Sequence, residues 1–245
     1  MASSSNDKTM KMTTSTAIAT ATATATATVT KPRILCLHGL SQSGATFSQK
    51  IGGARRKLAR YYDLDFLDAP VRVTGTGGEG GGGGFGWWIR NEQGEHVGVE
   101  TSFEYIRQQT QHQTYDVLLG FSQGGLLATA LALSGDVPGI KAVVTAGSPH
   151  VEDAFQIAMA RAAQRHNHNH NHISLEAGKA IPKLHFAGET DTIIPVERVE
   201  QLSREGGNGT VLKHEKGHLF PTKASEVNAM MEFLETHVHH HHHQA

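Results

Sequence analysis

Short apolar runs alternate with segments of helical periodicity along most of this chain. The apolar runs predict six strands, at Arg33–Leu37, Leu64–Leu67, Asp116–Leu119, Lys141–Thr145, Lys183–Ala187 and Thr210–Lys213. The segments that follow them predict helices near Gly44–Arg60, Ser102–Gln113, Gly124–Ser134, Glu152–Gln164, Val196–Arg204 and Thr222–Thr236. This alternation indicates an α/β fold with a mostly parallel central sheet of about six strands, flanked by helices on both faces.

Four biased segments fall outside this alternation. Residues 1–31, with five Ala-Thr pairs, predict a disordered low-complexity tail. The glycine-rich segment 75–86 predicts a loop without regular structure, and the His/Asn tract 166–172 predicts a second loop. The His-rich residues 238–245 resemble a purification tag, although a native run stays open. One folded domain is therefore expected over residues 32–237.

Size, charge and cysteine content exclude several classes of protein. A chain of 245 residues can bury one substantial core. Its formal charge of -1 offers no basic field for nucleic acid, so no nucleic-acid partner is expected. The single cysteine, Cys36, lies in an apolar run, which excludes a disulfide framework and predicts a small core residue. No segment reaches the roughly 20 apolar residues that span a bilayer, so no membrane span is expected.

The tail and the histidine tracts bear on localisation and metal binding. The N-terminal tail lacks the apolar core of a secretory signal, so we expect a cytoplasmic protein, with organelle targeting by this tail left open. Histidine tracts can hold transition metals. Here no Cys or carboxylate at structured spacing completes a first coordination shell, so we expect solvated loops, no metal and no cofactor. The sequence does not decide the oligomeric state.

The segment Gly120–Gly125 reads Gly-Phe-Ser-Gln-Gly-Gly and stands between a predicted strand and a predicted helix. Gly-x-Ser-x-Gly in that context is typical of a nucleophile elbow, in which a strained turn exposes the serine hydroxyl. Gly120 and Gly124 flank Ser122, where side chains would collide with the strand and the helix. Ser122 is therefore the candidate nucleophile, with an ordinary Gly/Ser turn as the alternative.

Candidate acids and bases follow later strands, at the sheet edge where active residues of parallel sheets gather. Asp191 lies in the turn after Lys183–Ala187, where a carboxylate can orient an imidazole, and Glu189 is the rival acid. His218 precedes the last helix and is favoured over His214 as general base. The chain order Ser, Asp, His is that of α/β-hydrolases.

The turn after the first strand is a candidate oxyanion site. Gly39 lets the backbone present N–H groups to a ligand, and the N–H of Gln123, next after the candidate nucleophile, would be the second donor. The alternative is an ordinary turn capped by Ser41 or Ser43.

Three aromatic residues, Phe85, Trp87 and Trp88, follow the glycine run. They either line an acyl pocket on a mobile flap formed by 75–88, or pack that segment onto the core. The sequence leaves the two alternatives open.

With these features the chain resembles the FSH-type serine hydrolases, which include the ovarian-cancer-associated serine hydrolase of animals and some polyketide-releasing thioesterases. The resemblance extends from about residue 31 to 235 and is carried by Leu35–Gly39, Phe47–Lys50, Arg55–Leu58, Phe66–Pro70, Trp87-Trp88, Gly120–Gly125, Gly188 with Asp191 and Pro195, and Gly217–Pro221. The glycine run and the His/Asn tract depart from the family pattern.

The resemblance implies an α/β-hydrolase fold over 32–237 and a cofactor-free hydrolase of carboxylic esters or thioesters, which works through an acyl-enzyme. It implies Ser122 as nucleophile, Asp191 as acid and His218 as base. It also implies backbone oxyanion donors at Leu40 and Gln123. The competing interpretation is a non-catalytic binding or scaffold protein on a hydrolase fold.

Overall fold

The computed structural model of the protein describes Met1 and residues 30–73, 83–168 and 174–239, with the backbone alone at 165–168. The predicted disordered tail, most of the glycine run, part of the His/Asn tract and the end of the His-rich tail therefore lie outside the described residues.

Six parallel strands form the central sheet, in the order β10-β9-β8-β7-β1-β2. The strands are β1 Arg33–Leu37, β2 Asp63–Leu67, β3 Val71–Val73, β4 Gly84–Gly86, β5 Ile89–Arg90, β6 His96–Val97, β7 Val117–Phe121, β8 Ala142–Ala146, β9 Lys183–Gly188 and β10 Gly209–His214. Two antiparallel pairs, β3 with β4 and β5 with β6, stand apart from this sheet.

The helices are α1 Gly44–Lys50, α2 Gly52–Leu58, α3 Val99–Thr110, α4 Gln123–Ser134, α5 Glu152–His168, α6 Leu175–Ala180, α7 Val196–Gly206 and α8 Ala224–Leu234, followed by a π-helix over Glu235–His239. They cover both faces of the sheet. Leu35 and Leu37 of β1 pack with α3, α4 and α5, whereas Ile34 and Cys36 pack with α1, α2 and α8. Alternate strand residues point to opposite faces. The predicted six-stranded parallel sheet with helices on both faces is confirmed.

The structure differs from the sequence-based elements in the glycine-rich segment. The expectation of no regular element over 75–86 is wrong at its end, because Gly84–Gly86 forms β4 opposite β3. A side chain at Gly84 would place its Cβ 2.3 Å from the Ser41 carbonyl group. The backbone of β4 can therefore lie against the loop after β1 only because residue 84 is glycine.

Three other boundaries also differ. The single helix expected over 44–60 is two helices, because Ile51 leaves the helical conformation just before a Gly-Gly pair that disfavours its continuation. Helix α5 runs to His168, so the loop predicted for 166–172 begins later, since neither glycine nor proline interrupts the helix. Val238 is fully buried, so the folded part continues beyond the expected boundary at 237.

Strand β9 carries two ionisable side chains that are fully buried, Lys183 and His185. The Lys183 ammonium donates hydrogen bonds to the carbonyls of Gly178, Lys179 and Ile181, at the end of α6, a helix that the sequence did not indicate. Burial lowers the pKa of Lys183 to about 8. The chain thus holds a lysine in its interior by surrounding it with backbone acceptors.

Burial of His185 makes the stability of the protein depend on acid. Its Nδ1 lies 2.8 Å from the Thr145 hydroxyl, and burial lowers the pKa of its imidazole from 6.5 to about 3. The unfolded chain therefore binds more protons than the folded one below pH 6.5. We expect the free energy of unfolding to fall as the pH drops from 6.5 towards 3, by up to about 3 kcal/mol at pH 4.

Urea unfolding at pH 7, 5.5 and 4 measures this slope. His185→Asn should flatten it, because Asn can still bond Thr145 but does not titrate. The same change at the exposed His112 should leave the slope as in the unmodified protein. An unchanged slope in His185→Asn would show that other groups set the acid sensitivity.

Candidate active site

Ser122 occupies the turn between β7 and α4 in a conformation that side chains rarely adopt. Its φ is 52° and its ψ is -118°. The strain is held in place on both sides, because the Ser122 backbone N–H donates to the Ala146 carbonyl of β8 while α4 starts at the next residue. Ser122 therefore stands at the carboxyl edge of the sheet as the sequence predicts.

The three glycines around Ser122 lie so close to neighbouring atoms that there is no room for a side chain. An added Cβ at Gly120 would lie 2.4 Å from the Gly124 carbonyl oxygen, and one at Gly124 would lie 2.2 Å from the Leu37 carbonyl oxygen. At Gly125 it would lie 2.0 Å from the Ser148 hydroxyl. Real Cβ atoms do not approach so closely, so a side chain at Gly120 or Gly124 would displace backbone, and one at Gly125 would displace the Ser148 side chain.

Gly124→Ala should therefore destabilise the protein by at least about 3 kcal/mol, because two backbone segments would have to separate. The matched control is Gly52→Ala at the start of α2, where an added methyl group meets no atom within 4 Å. That change should alter stability by less than about 1 kcal/mol, in the stabilising direction. Thermal unfolding of the two variants checks the contrast, and equal melting temperatures would contradict the close approach.

Asp191 and His218 form a direct pair on the loops after β9 and β10. Asp191 Oδ2 lies 2.7 Å from His218 Nδ1, and the Asp191 side chain is fully buried. Its other oxygen, Oδ1, accepts hydrogen bonds from the backbone N–H groups of Ile193 and Ile194. Because a carboxylate only accepts, Nδ1 of His218 carries the proton and Nε2 is free to act as a base.

The imidazole of His218 lies beside the turn that carries Ser122. Its ring centroid is 4.8 Å from that of Phe121, the residue before Ser122. A Cβ at Gly147 would come within 3.0 Å of the same imidazole, so this glycine leaves room for it. Ser122 makes no side-chain hydrogen bond to a described residue. Catalytic hydrogen bonds of ligand-free enzymes are often long and tighten when substrate binds.

The rival candidates have other surroundings. Glu189 is exposed, and its backbone N–H bonds the His214 carbonyl. Nδ1 of His214 accepts from the backbone N–H of Lys216, and burial lowers the pKa of this imidazole. Of the four candidate side chains, only Asp191 and His218 are joined by a hydrogen bond.

The loop after β1 runs next to the candidate nucleophile. A Cβ at Gly39 would lie 3.4 Å from Ser122 Cβ and 3.0 Å from the Phe121 ring, so the backbone passes close to the turn. Leu40 follows, with an exposed side chain. Ser43 also caps α1, its hydroxyl accepting from the Thr46 N–H. Ser43 therefore caps α1, as the alternative interpretation expects. The backbone of the same loop also passes next to Ser122, where an oxyanion donor would have to lie.

The three aromatic residues are placed differently from one another. Phe85 is half-buried in β4, with the Arg72 guanidinium 5.4 Å from its ring centroid. Trp87 is fully buried and Trp88 is 4% exposed, both in the core cluster beneath α3 and α4. The burial of both tryptophans agrees with the packing alternative, and Phe85 is the one with exposed surface for a substrate.

Side-chain partners that the sequence did not indicate surround these residues. The Gln123 amide bonds backbone groups of Trp87 and Trp88, and the His38 carbonyl accepts from the Trp87 indole. These contacts join residues far apart in sequence, and no local pattern signals them.

The described part of the chain contains neither a metal-binding group of side chains nor a membrane-spanning helix. Within residues 30–73, 83–168 and 174–239, no three His, Cys, Asp or Glu side chains are grouped so that they could hold a metal ion. None of the helices described there is both long and apolar enough to cross a bilayer.

A parallel sheet with a strained serine between strand and helix, and an Asp–His pair on later loops at the same edge, defines an α/β-hydrolase. Solved structures share this fold. Esterase PE8 matches with a TM-score of 0.61 at 18% identity, over 85% of this chain and 93% of that one. Acyl-protein thioesterase 2 of Zea mays matches with a TM-score of 0.56 at 16% identity, over 84% and 93%.

The sequence profile of the family described as Serine hydrolase (FSH1) matches residues 26–230, and the chain belongs to this family. The FSH-type resemblance is confirmed. Esterase CG5412 of Drosophila melanogaster is 28% identical over 218 residues, which cover 84% of this chain and 74% of that protein. Esterase OVCA2 of Homo sapiens is 28% identical over 226 residues, covering 83% and 95%.

A relative from Schizosaccharomyces pombe that carries the name dihydrofolate reductase is 31% identical over 227 residues. The alignment covers 84% of this chain but 47% of that protein. The present chain thus spans about half the length of that relative.

Proposed function

We propose that this protein hydrolyses carboxylic esters or thioesters of small molecules, with Ser122 as nucleophile and His218 as general base. The observation that carries the proposal is the 2.7 Å contact between Asp191 and His218, at the sheet edge where Ser122 is held in its strained turn. Relatives named as esterases support the same reaction class.

The proposed reaction begins when Nε2 of His218 takes the proton of the Ser122 hydroxyl as its oxygen attacks the substrate carbonyl carbon. The negative charge that develops on the carbonyl oxygen is held by the backbone N–H groups of Leu40 and Gln123. His218 then returns the proton to the leaving oxygen or sulfur, and the bond to that atom breaks. A water molecule then attacks the acyl-enzyme through the same steps, with His218 again as the base, and the carboxylic acid is released.

Asp191 has two tasks in this scheme. It fixes the tautomer of His218 by accepting from Nδ1, and it stabilises the imidazolium that forms when Nε2 takes the proton. Its backbone hydrogen bonds to Ile193 and Ile194 hold the carboxylate in place for both. A purely binding or scaffold role would need neither this buried carboxylate nor its alignment with the imidazole.

A fluorophosphonate probe tests the reaction class, since it reacts well only with an activated serine. We expect the intact protein to be labelled, and to hydrolyse p-nitrophenyl esters and acyl-thioesters in a C2-to-C12 series. Phe85 is partly exposed and its backbone N–H bonds the Gln42 carbonyl in the loop after β1, and an apolar ring in that place should favour medium or longer acyl chains over acetyl. Folded protein that neither labels nor turns over any member of the series would support the binding role instead.

A further inference from the structure

The two proposed oxyanion donors belong to distant parts of the chain. Leu40 lies in the loop after β1, whereas Gln123 begins α4. Both N–H groups help a tetrahedral intermediate only when their separation and direction are set before the reaction, because preorganised donors then need no rearrangement. A rigid link between the two segments would supply that fixed geometry.

Trp87 bonds both segments at once. Its indole N–H donates to the His38 carbonyl over 2.9 Å, and its backbone N–H donates to the Gln123 side-chain Oε1 over 2.8 Å. We propose that Trp87 is a positioning residue that holds the two oxyanion segments in register. This inference rests on the proposed ester or thioester hydrolysis.

The Gln123 side chain completes the link through both ends of its amide. Oε1 accepts from the Trp87 N–H, and Nε2 donates to the Trp88 carbonyl over 2.8 Å. A carboxylate could not donate the second bond, and a hydrocarbon could make neither. The residue whose backbone N–H faces the oxyanion is thus tied through its own side chain to the tryptophan segment.

The His38 end is equally fixed. Nε2 of His38 accepts from the Ala69 N–H over 3.0 Å, so Nδ1 carries the proton and donates to the Gly39 carbonyl over 2.7 Å. The Trp87 and His38 rings lie with centroids 5.3 Å apart. Burial lowers the pKa of His38 and keeps the imidazole neutral. The segment leading to Leu40 is therefore held by its main chain and its side chain.

Trp87 itself is anchored from a third direction. The Ser102 hydroxyl on α3 donates to the Trp87 carbonyl, and the Trp87 side chain is fully buried. Water therefore does not compete for these bonds, which makes them stronger than exposed ones. The adjacent Trp88 is also buried, but its indole N–H makes no hydrogen bond to a described residue. Replacing either tryptophan with phenylalanine is therefore the same chemical change, but only at Trp87 does it remove a hydrogen bond that links the two oxyanion segments.

Steady-state kinetics on a p-nitrophenyl ester, with Trp87→Phe and Trp88→Phe side by side, tests the role. Trp87→Phe should lower kcat about 10- to 100-fold with KM changed less than threefold, because misaligned donors weaken the transition state more than the bound substrate. Its loss in kcat should exceed that of Trp88→Phe at least tenfold. Affinity for a trifluoromethyl ketone, which forms the tetrahedral adduct, should fall in parallel with kcat.

Two further variants separate positioning from stability. Phe103→Leu, in the same core cluster, should lower the melting temperature while leaving kcat unchanged. Gln123→Met keeps the backbone N–H but removes both amide bonds, so it should reproduce the kcat loss even if Trp87→Phe does not fold. Combining it with Trp87→Phe should add little further loss, because both break one link.

The inference is overturned if Trp87→Phe and Gln123→Met keep kcat and ketone affinity, or if Phe103→Leu loses kcat to the same extent. Failure of the proposed function would be recognised differently. In that case the unmodified protein itself would neither react with a fluorophosphonate nor hydrolyse the ester.

Discussion

Ser122→Ala is expected to abolish ester hydrolysis, lowering kcat by several orders of magnitude, while the fold stays intact. The reason is that no other group in the scheme can form the acyl-enzyme, and the residual rate would come from the oxyanion donors and substrate binding alone. Because Ala removes one hydroxyl from a partly buried position where Ser122 makes no side-chain hydrogen bond to a described residue, packing should hardly change. Turnover of a p-nitrophenyl ester and fluorophosphonate labelling, both measured against the unmodified protein, check the result.

Ser48→Ala on α1 is the matched control, since it makes the same chemical change away from the turn and should keep full turnover. Melting curves of both variants should overlay that of the unmodified protein. Turnover of Ser122→Ala within about tenfold of the unmodified rate would show that another residue is the nucleophile.

Asp191→Asn should lower kcat by roughly 10³- to 10⁴-fold, the second largest effect expected. Asn can still accept the Ile193 and Ile194 N–H bonds, so the loop should fold. Its amide, however, presents a donor to His218, favours the wrong tautomer and cannot stabilise the imidazolium. The measurement is kcat on the same ester, over a pH range that brackets neutrality.

Glu189→Gln is the comparison for that experiment. Glu189 has the same charge and lies two residues away, but it is exposed, and the carboxylate hydrogen-bonded to His218 is that of Asp191. We expect its kcat to stay within about threefold of the unmodified value. If Glu189→Gln proves the more damaging substitution, the acid has been assigned to the wrong carboxylate.

Much of the fold could be predicted because the central strands are buried on both faces. Arg33–Leu37 is recognised residue for residue from its apolar run, and the other five strands are found to within two residues. The turn at Ser122 could also be predicted, since Gly-x-Ser-x-Gly between an apolar run and a helical segment is a local pattern. Chain order along a parallel sheet then places Asp191 and His218 at the same edge.

The rest depends on contacts between distant segments. Gly84–Gly86 has a composition that disfavours strands, and only the loop at Ser41 and the partner strand β3 make it one. Trp87 bonds the backbone carbonyl of His38 and the side-chain amide of Gln123, which lie 49 and 36 positions away in the sequence. Such bonds produce no periodic pattern in the sequence. From the sequence alone, an aromatic pair after a glycine run therefore fits a substrate pocket as well as it fits a packed core.

The burial of Val238 decides where this protein can be shortened. Its side chain is fully buried in the apolar cluster that also holds Met230 and Leu234 of α8, and the His239 ring lies 5.3 Å from that of Tyr62. Cleavage before Val238 would open a hole of one aliphatic side chain under the last helix and lower thermal stability. Cleavage at a protease site inserted after His239 would remove the remaining histidines and keep Val238 in place, so metal binding by the tail can be tested without weakening the fold.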